Sequence, residues 1–299
     1  MTWLKQLLDT FDHEQLSTIF SSILYRMPII VLGNDNYLCN ATVDNIVHLV
    51  PHRQKSVFWS DFISKEEAEL LLEDERIDPK NNRVVLVGYS SNAIQAINRF
   101  DDFKGWVLSF VPKSDRDLNI VFENLSKNGN AFLVIYLNES GNRLKIYSEK
   151  EHSNSKITQD ILNKVIVSTK NSITKIARIV AKKNTKDSPI PLLEGFLEFT
   201  EETEYIQQDV FEKEIMEFVH ATRRALILFT RIKLMKELKI DIKLDLQTLM
   251  SAIDFDKIYV NDVLAFLQAE YDYDYSYCLN NSRISRIGDQ VDSLWGIKA

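Results

Sequence analysis

The stretch Arg26-Met-Pro-Ile-Ile-Val-Leu-Gly-Asn-Asp35 decides the fold class. It is a short apolar run that ends abruptly in Gly-Asn-Asp, as a buried strand ends where a loop begins. Four more strand candidates follow, at Ser56–Trp59, Arg83–Gly88, Gly105–Val111 and Ala131–Leu137. Three of the five runs are apolar on consecutive residues, which predicts strands that are covered on both faces. Because helical patterns separate the runs, we expect a mostly parallel sheet with right-handed crossovers.

Apolar residues around these strands recur at helical spacing. The predicted helices cover 2–24, with a break near Asp12-His13, then Asn40–Val50, Lys65–Glu75, Asn92–Phe100, Leu118–Lys127 and 156–183. The last strand is expected to form a hairpin with Leu144–Tyr147. Beyond Pro191 every periodic segment is helical, namely Val210–Lys239 as one long helix or two, Leu246–Ile253, Val260–Tyr271 and Ser282–Trp295.

Two prolines in the polar stretch 184–191 mark the domain boundary that the sequence favours. We therefore predict an N-terminal helical segment at 1–24 and a Rossmann-like three-layer α/β domain at 25–150. A basic amphipathic helix and linker follow at 151–191. An all-α C-terminal domain completes the chain at 192–299, and a winged-helix-like arrangement is one option for it.

Composition limits the classes of function. The 299 residues carry a net charge of −7 and are 45% hydrophobic, which fits a globular protein and disfavours general binding to nucleic acid or anionic membrane. Two cysteines exclude a disulfide framework, and no run of apolar residues is long enough to cross a membrane. We expect a cytoplasmic protein. Residues 141–187 carry 11 basic and 4 acidic side chains, and we expect this segment to pair with the acidic C-terminal domain.

The turn after the first strand is the place where phosphate-binding folds hold a glycine-rich loop. Here it reads Gly33-Asn-Asp-Asn-Tyr-Leu-Cys-Asn-Ala-Thr42, without the second glycine and the lysine of a P-loop and without a dinucleotide fingerprint. Two interpretations remain, an ordinary strand–helix turn and a phosphate-binding core that has lost its chemistry.

Polar residues follow several strands, where the carboxyl ends of parallel strands share one edge and open sheets bind ligands. The candidate ligand-binding residues are Gly33, Asn34, Asp35, Asp61, Ser90 and Lys113. The acids could hold a divalent cation, and the lysine with helix N–H groups could hold an anion. In the alternative interpretation, Asp35 and Asp61 cap the helices or turns that follow them.

No catalytic or metal motif completes this picture. His48 and His52 are the only histidines four apart, and Pro51 ends the helix between them. No G-x-S-x-G is present. The sequence therefore predicts no cofactor, no metal and no catalytic residue, and it favours a protein that is not an enzyme.

The C-terminal region offers a candidate partner surface. Its residues are Tyr271, Tyr273, Tyr275 and Tyr277, together with Arg283 and Arg286. Aromatic residues are enriched in the centre of protein interfaces, although a buried tyrosine cluster that closes the helical domain explains the same pattern. A helix-turn-helix would use Asn261–Glu270 as its recognition helix, but that segment has two acids and no base.

The leading hypothesis is a non-catalytic regulatory or adaptor protein. Its α/β domain binds a partner or small ligand, and its helical domain mediates protein interaction. The first alternative is a ligand-responsive DNA-binding regulator. The second is an enzyme that acts on a phosphorylated substrate at the sheet edge with Asp35, Asp61 and Lys113.

Overall fold

A computed structural model describes residues 2–57, 83–100, 103–114, 118–119, 121–123, 125, 131–138, 141–148, 155–167, 190–240 and 242–279. The predicted helices Lys65–Glu75 and Ser282–Trp295, and the predicted helical residues 168–183, lie outside this part of the chain. Within it, no helix is both long and apolar enough to cross a membrane.

Six strands form one sheet in the order β2-β3-β4-β1-β5-β6. Their bounds are β1 Ile29–Leu32, β2 Arg53–Val57, β3 Arg83–Gly88, β4 Val107–Phe110, β5 Phe132–Tyr136 and β6 Arg143–Tyr147. The first five strands are parallel, and β6 pairs antiparallel with β5 as a hairpin. The predicted mostly parallel sheet and its terminal hairpin are thus confirmed.

The described helices flank this sheet and follow it. Those with described bounds are α1 Trp3–Thr10, α2 His13–Leu24, α3 Asn36–Val47, α4 Ala93–Phe100, α5 at 156–167, α6 Ile190–Glu237, α7 Leu246–Ala252 and α8 Val260–Tyr271, and further helical residues lie at 118–119, 121–123 and 125. Asp12 caps α2 in a reciprocal capping box with Gln15, which explains the break predicted near Asp12-His13. The predicted helical C-terminal region is confirmed, and the periodicity found at Val210–Lys239 belongs to a 48-residue helix.

Helices cover both faces of the sheet, as the consecutive apolar runs predicted. On central strand β1, Ile29 and Val31 enter the larger hydrophobic cluster, whereas Ile30 and Leu32 enter a smaller one with α4. All four side chains are buried. The alternation follows from the two-residue period of a strand.

The larger cluster continues from the α/β region into the C-terminal helices. Phe211 of α6 lies 5.5 Å from the ring of Trp3 and 5.1 Å from the ring of Phe20. Phe218 of α6 contacts Phe266 of α8 edge to face at 5.4 Å. Residues on both sides of Pro191 therefore belong to one hydrophobic cluster. The division of the chain near 191 stays a prediction.

A buried carboxylate connects α8 to the amino ends of the strands. Glu270 accepts hydrogen bonds from Arg53 Nε at 2.8 Å and from Arg26 Nη1 at 3.4 Å, and all three side chains are almost fully buried. Arg53 also donates to the Leu24 carbonyl at 2.7 Å. The two guanidinium groups hold the pKa of Glu270 far below its usual range, although burial alone would raise it. Glu270 is therefore ionised in the folded protein.

Arg26 reaches this carboxylate from an unusual backbone conformation. Its φ is +60°, and Gly105 lies against it with φ +71°. A Cβ on Gly105 would come within 2.8 Å of the Arg26 Cα, so only glycine fits here.

A second buried group holds the other end of α8. The hydroxyls of Tyr25 and Ser155 donate to the same oxygen of Asp262, at 2.7 Å and 2.5 Å. Burial raises the pKa values of Asp262 and Tyr25. Because Asp262 and Glu270 lie eight residues apart on α8, the helix is hydrogen-bonded to the N-terminal half of the protein near both of its ends.

We predict that Glu270→Ala lowers the free energy of unfolding by about 3–5 kcal/mol, because it leaves two buried arginines without their shared carboxylate. Urea denaturation measures the loss. Asp272→Asn is the matched control, since its ion pair with Lys104 is exposed and worth less than about 1 kcal/mol, and asparagine tolerates the left-handed backbone at this position, where φ is +52°. Equal losses in the two variants would contradict a dominant role for Glu270.

The buried side chain of His52 makes the free energy of unfolding depend on pH. Burial lowers its pKa from 6.5 to about 4, and its Nε2 lies 3.7 Å from Glu270 Oε1, beyond hydrogen-bond distance. Between pH 6.5 and pH 4, His52 is therefore protonated in the unfolded chain but neutral in the folded chain. Stability falls as the pH falls through this window, by about 3 kcal/mol from this group. His52→Gln should flatten the dependence measured by denaturation at pH 7 and pH 5, and an unchanged slope would refute the assignment.

Candidate functional site

The predicted ligand-binding turn after β1 is capped by its own carboxylate. Asp35 accepts hydrogen bonds from the backbone N–H groups of Tyr37 at 2.8 Å and Leu38 at 3.5 Å, at the start of α3. The carboxylate thus lies where an anion would bind at a helix N-terminus. Asn34 is exposed beside it. This geometry matches the capping alternative for Asp35.

Gly33 is required by close packing. A Cβ at this position would lie 2.7 Å from the Cys39 Sγ and 3.4 Å from the Leu137 Cβ. Buried Cys39 therefore comes up against the end of β1, and burial raises the pKa of its thiol to about 11. A packing contact accounts for this glycine without a ligand.

Ser90 lies beside α3 through a residue that the sequence did not single out. Asn40 Oδ1 accepts from Ser109 Oγ at 2.5 Å, from Ser90 Oγ at 3.3 Å and from the Ser90 backbone N–H at 3.4 Å. Asn40 therefore connects α3 to β4 and to the loop after β3. Its sequence signal was weak, a single amide next to a buried cysteine.

The remaining predicted edge residues are Lys113 and Asp61. Lys113 is exposed, and Asp61 lies outside the described residues. Across the described ranges, no group of three or more His, Cys, Asp and Glu side chains could hold a metal ion. His48 stacks on Trp3 at 5.5 Å, while His52 is buried beside Phe266, so these two histidines face different surroundings.

The C-terminal tyrosines divide into two groups. Tyr275 is buried and stacks on Phe229 of α6 at 5.3 Å, in line with the alternative of a packed tyrosine cluster. Tyr271, Tyr273 and Tyr277 are half-buried. Arg283 and Arg286 lie outside the described part of the chain. The segment proposed as a recognition helix is α8, whose side chains are largely buried.

Tyr273 and Tyr277 each contact a lysine that the sequence analysis did not single out. Lys233 Nζ lies 4.4 Å from the centre of the Tyr273 ring, and Lys236 Nζ lies 4.4 Å from the centre of the Tyr277 ring. The two phenol oxygens are 3.3 Å apart. Together with Glu237, these four residues line a cleft of about 380 Å³, which we call the Lys–Tyr cleft.

An exposed apolar surface lies next to the cleft. Of the large apolar side chains that are exposed in the described part of the chain, half lie between 227 and 242. We call them the α6 patch: Ile227, Leu234, Met235, Leu238, Ile240 and Ile242. Leu238 is 73% exposed, Ile227 55% and Leu234 54%. Ile227 and Leu234 are spaced by seven positions, which places them on one face of α6, and Leu238 follows directly after the end of the helix.

A third surface feature is an acidic groove of about 770 Å³ between α5, α6 and α7. Its carboxylates are Glu214, Glu217, Asp254 and Asp256. Lys164 of α5 contacts Glu214 at 2.6 Å, so one residue of the predicted basic segment pairs with the C-terminal helices. Lys170, Lys175, Arg178, Lys182 and Lys183 lie outside the described residues.

Comparison with protein-family models finds no match to this chain, and comparisons with curated proteins and with solved structures find no similar protein either.

We predict that Asp35→Ala lowers the free energy of unfolding by about 1 kcal/mol, the usual cost of losing an N-cap. Thermal denaturation with and without ATP, GTP or Mg²⁺ provides the measurement. The melting temperature of the native chain should not respond to these additions. A rise with nucleotide or magnesium that Asp35→Ala abolishes would identify a ligand site instead of a cap.

Proposed function

We propose that this protein is a non-catalytic adaptor or regulatory protein, and that the α6 patch binds a partner protein. The observation that carries the proposal is the concentration of exposed apolar side chains at one end of a long helix. Contiguous apolar patches larger than a few hundred Å² are uncommon on soluble monomers and mark interaction sites. The rest of the described chain has an extensive buried core. The exposure of these residues is therefore a specific feature of this surface and does not reflect a missing core.

The chemistry around the patch favours a partner with acidic side chains. Residues 231–243 carry five basic and two acidic side chains, a net of +3, on a chain whose net charge is −7. Arg231, Lys239 and Lys243 are exposed beside the apolar residues. Such a rim excludes basic partners by like-charge repulsion and attracts acidic ones.

The alternatives receive less support. Asp35 already fills the helix N-terminus where a phosphorylated substrate would be held. α8 would have to leave its buried position, and Asp262 and Glu270 their partners, before it could enter a DNA groove. The proposal places the protein in the cytoplasm and assigns its α/β domain mainly a structural role.

The finer fold descriptions stay part of the proposal. We use Rossmann-like only for three layers around a mostly parallel sheet, because the order β2-β3-β4-β1-β5-β6 differs from the dinucleotide-binding order 3-2-1-4-5-6. A winged-helix-like C-terminus is not needed for the function that we propose.

The experiment replaces Leu238 with a photo-cross-linking residue, identifies the captured protein by mass spectrometry and measures its binding to the purified full-length chain by calorimetry. Leu234→Ser with Leu238→Ser should weaken that binding by about tenfold or more, since two buried anchors are lost. Tyr205→Ser is the matched control, because Tyr205 is 63% exposed on the same helix outside the patch. Two results would contradict the proposal. In the first, cross-linking at position 238 captures no more protein than cross-linking at position 205. In the second, the captured partner binds the double variant as tightly as the native chain.

A further inference from the structure

We propose that the Lys–Tyr cleft binds carboxylate side chains of the partner, and that the partner's docking element is an acidic amphipathic helix. This inference rests on the proposed function, and it adds the chemical class of the partner and the residues that select it. The cleft and most of the α6 patch lie at the C-terminal end of α6, where Leu244 of the following segment pairs with Leu279, so a docking element that crosses this end can contact both.

The cleft holds two ammonium groups in a fixed arrangement. Lys233 and Lys236 each lie over a tyrosine ring at 4.4 Å, and those rings are held by the segment that follows α8. A cation over an aromatic face is attracted by the negative face of the ring, which restrains a side chain that would otherwise move freely. Much of the entropy lost on binding an anion is therefore already lost in the free protein.

The tyrosines add hydrogen-bond donors to the cleft. Burial and the neighbouring Tyr273 hydroxyl raise the pKa of Tyr277, so its phenol stays protonated and can donate to a carboxylate oxygen. Glu237 is the one carboxylate that lines the cleft. With two ammonium groups against one carboxylate, the cleft favours an anionic side chain over a cationic one.

The positions of the cleft and patch residues on α6 determine which residue spacing a partner helix needs. Lys233 and Lys236 lie about one turn apart on α6, whereas Leu234 is displaced around the axis by about 100° from Lys233 and by about 160° from Lys236. A partner helix that crosses the end of α6 matches both if it carries carboxylates three or four residues apart along one face and apolar side chains on the adjacent face. Leu234 and Leu238 would pack against that apolar face.

The test uses three synthetic amphipathic helices and the full-length chain. The first carries leucine on one face and glutamate pairs beside it, the second has glutamine for every glutamate, and the third has lysine. Fluorescence anisotropy should show the glutamate peptide binding about tenfold tighter than the glutamine peptide, and the lysine peptide binding weakest.

Variants then assign the selectivity to the cleft. Lys233→Gln with Lys236→Gln should lower the affinity for the glutamate peptide by about tenfold while leaving the affinity for the glutamine peptide unchanged. Lys213→Gln is the matched control, since Lys213 is an exposed lysine of the same helix near Glu217. Circular dichroism of each variant verifies that the fold is retained, since none of these lysines belongs to the hydrophobic core.

The outcomes separate the two proposals. If the glutamate and glutamine peptides bind equally and both are lost in the double leucine variant, the α6 patch stands and the cleft inference is overturned. If the double leucine variant binds every peptide as the native chain does, the proposed function itself fails.

Rival occupants of the surface give different results. Binding to phosphatidylserine vesicles, but to none of the peptides, would make the surface a lipid contact and overturn the inference. A dimer in light scattering that the double leucine variant abolishes would make the occupant a second copy, and would overturn it as well.

Discussion

The buried carboxylate of Glu270 is the interaction on which the arrangement of this molecule depends. It lies between Arg53 at the start of β2 and Arg26 just before β1, so one side chain of the last described α-helix fixes the amino ends of two strands. A buried charge is tolerated only when it is paired and hydrogen-bonded. The same requirement fixes α8 in position, and α6 in turn, through the contact between Phe218 and Phe266.

This arrangement divides the sheet between two roles. At the amino edge, the charged groups of the strands are paired with the C-terminal helices. At the opposite edge, where open parallel sheets bind ligands, Asp35 caps α3 and Asn40 binds Ser90 and Ser109. Asp35, Asn40 and Ser90 at this edge therefore already have partners within the chain. Their pairing supports the proposal that the α/β domain has mainly a structural role.

In the function that we propose, partner binding depends on the part of α6 that the core leaves exposed. Phe211, Phe218 and Phe229 hold the buried face of the helix, whereas Leu234 and, just past the end of the helix, Leu238 are exposed. Tyr273 and Tyr277 lie against the ammonium groups of Lys233 and Lys236. The segment whose Tyr275 stacks on Phe229 in the core thus also orients these two lysines. Charge and apolar area together suit an acidic amphipathic partner.

The sequence by itself determined the layered α/β architecture, because a strand buried on both faces must be apolar on consecutive residues, as at Ile29–Leu32 and Arg83–Gly88. The predicted bounds of β2, Ser56–Trp59, were wrong, because the strand is Arg53–Val57. The charged residues Arg53 and Lys55 hid its first half from a search for apolar runs. Arg53 can be buried there only because Glu270, distant by 217 residues, supplies the opposite charge. Spacing also predicted that α6 is a helix, yet it could not tell buried Ile232 from exposed Leu234. Only the tertiary structure decided the strand order, the pairing of buried charges and the exposed surface, because each depends on contacts between residues far apart in the chain.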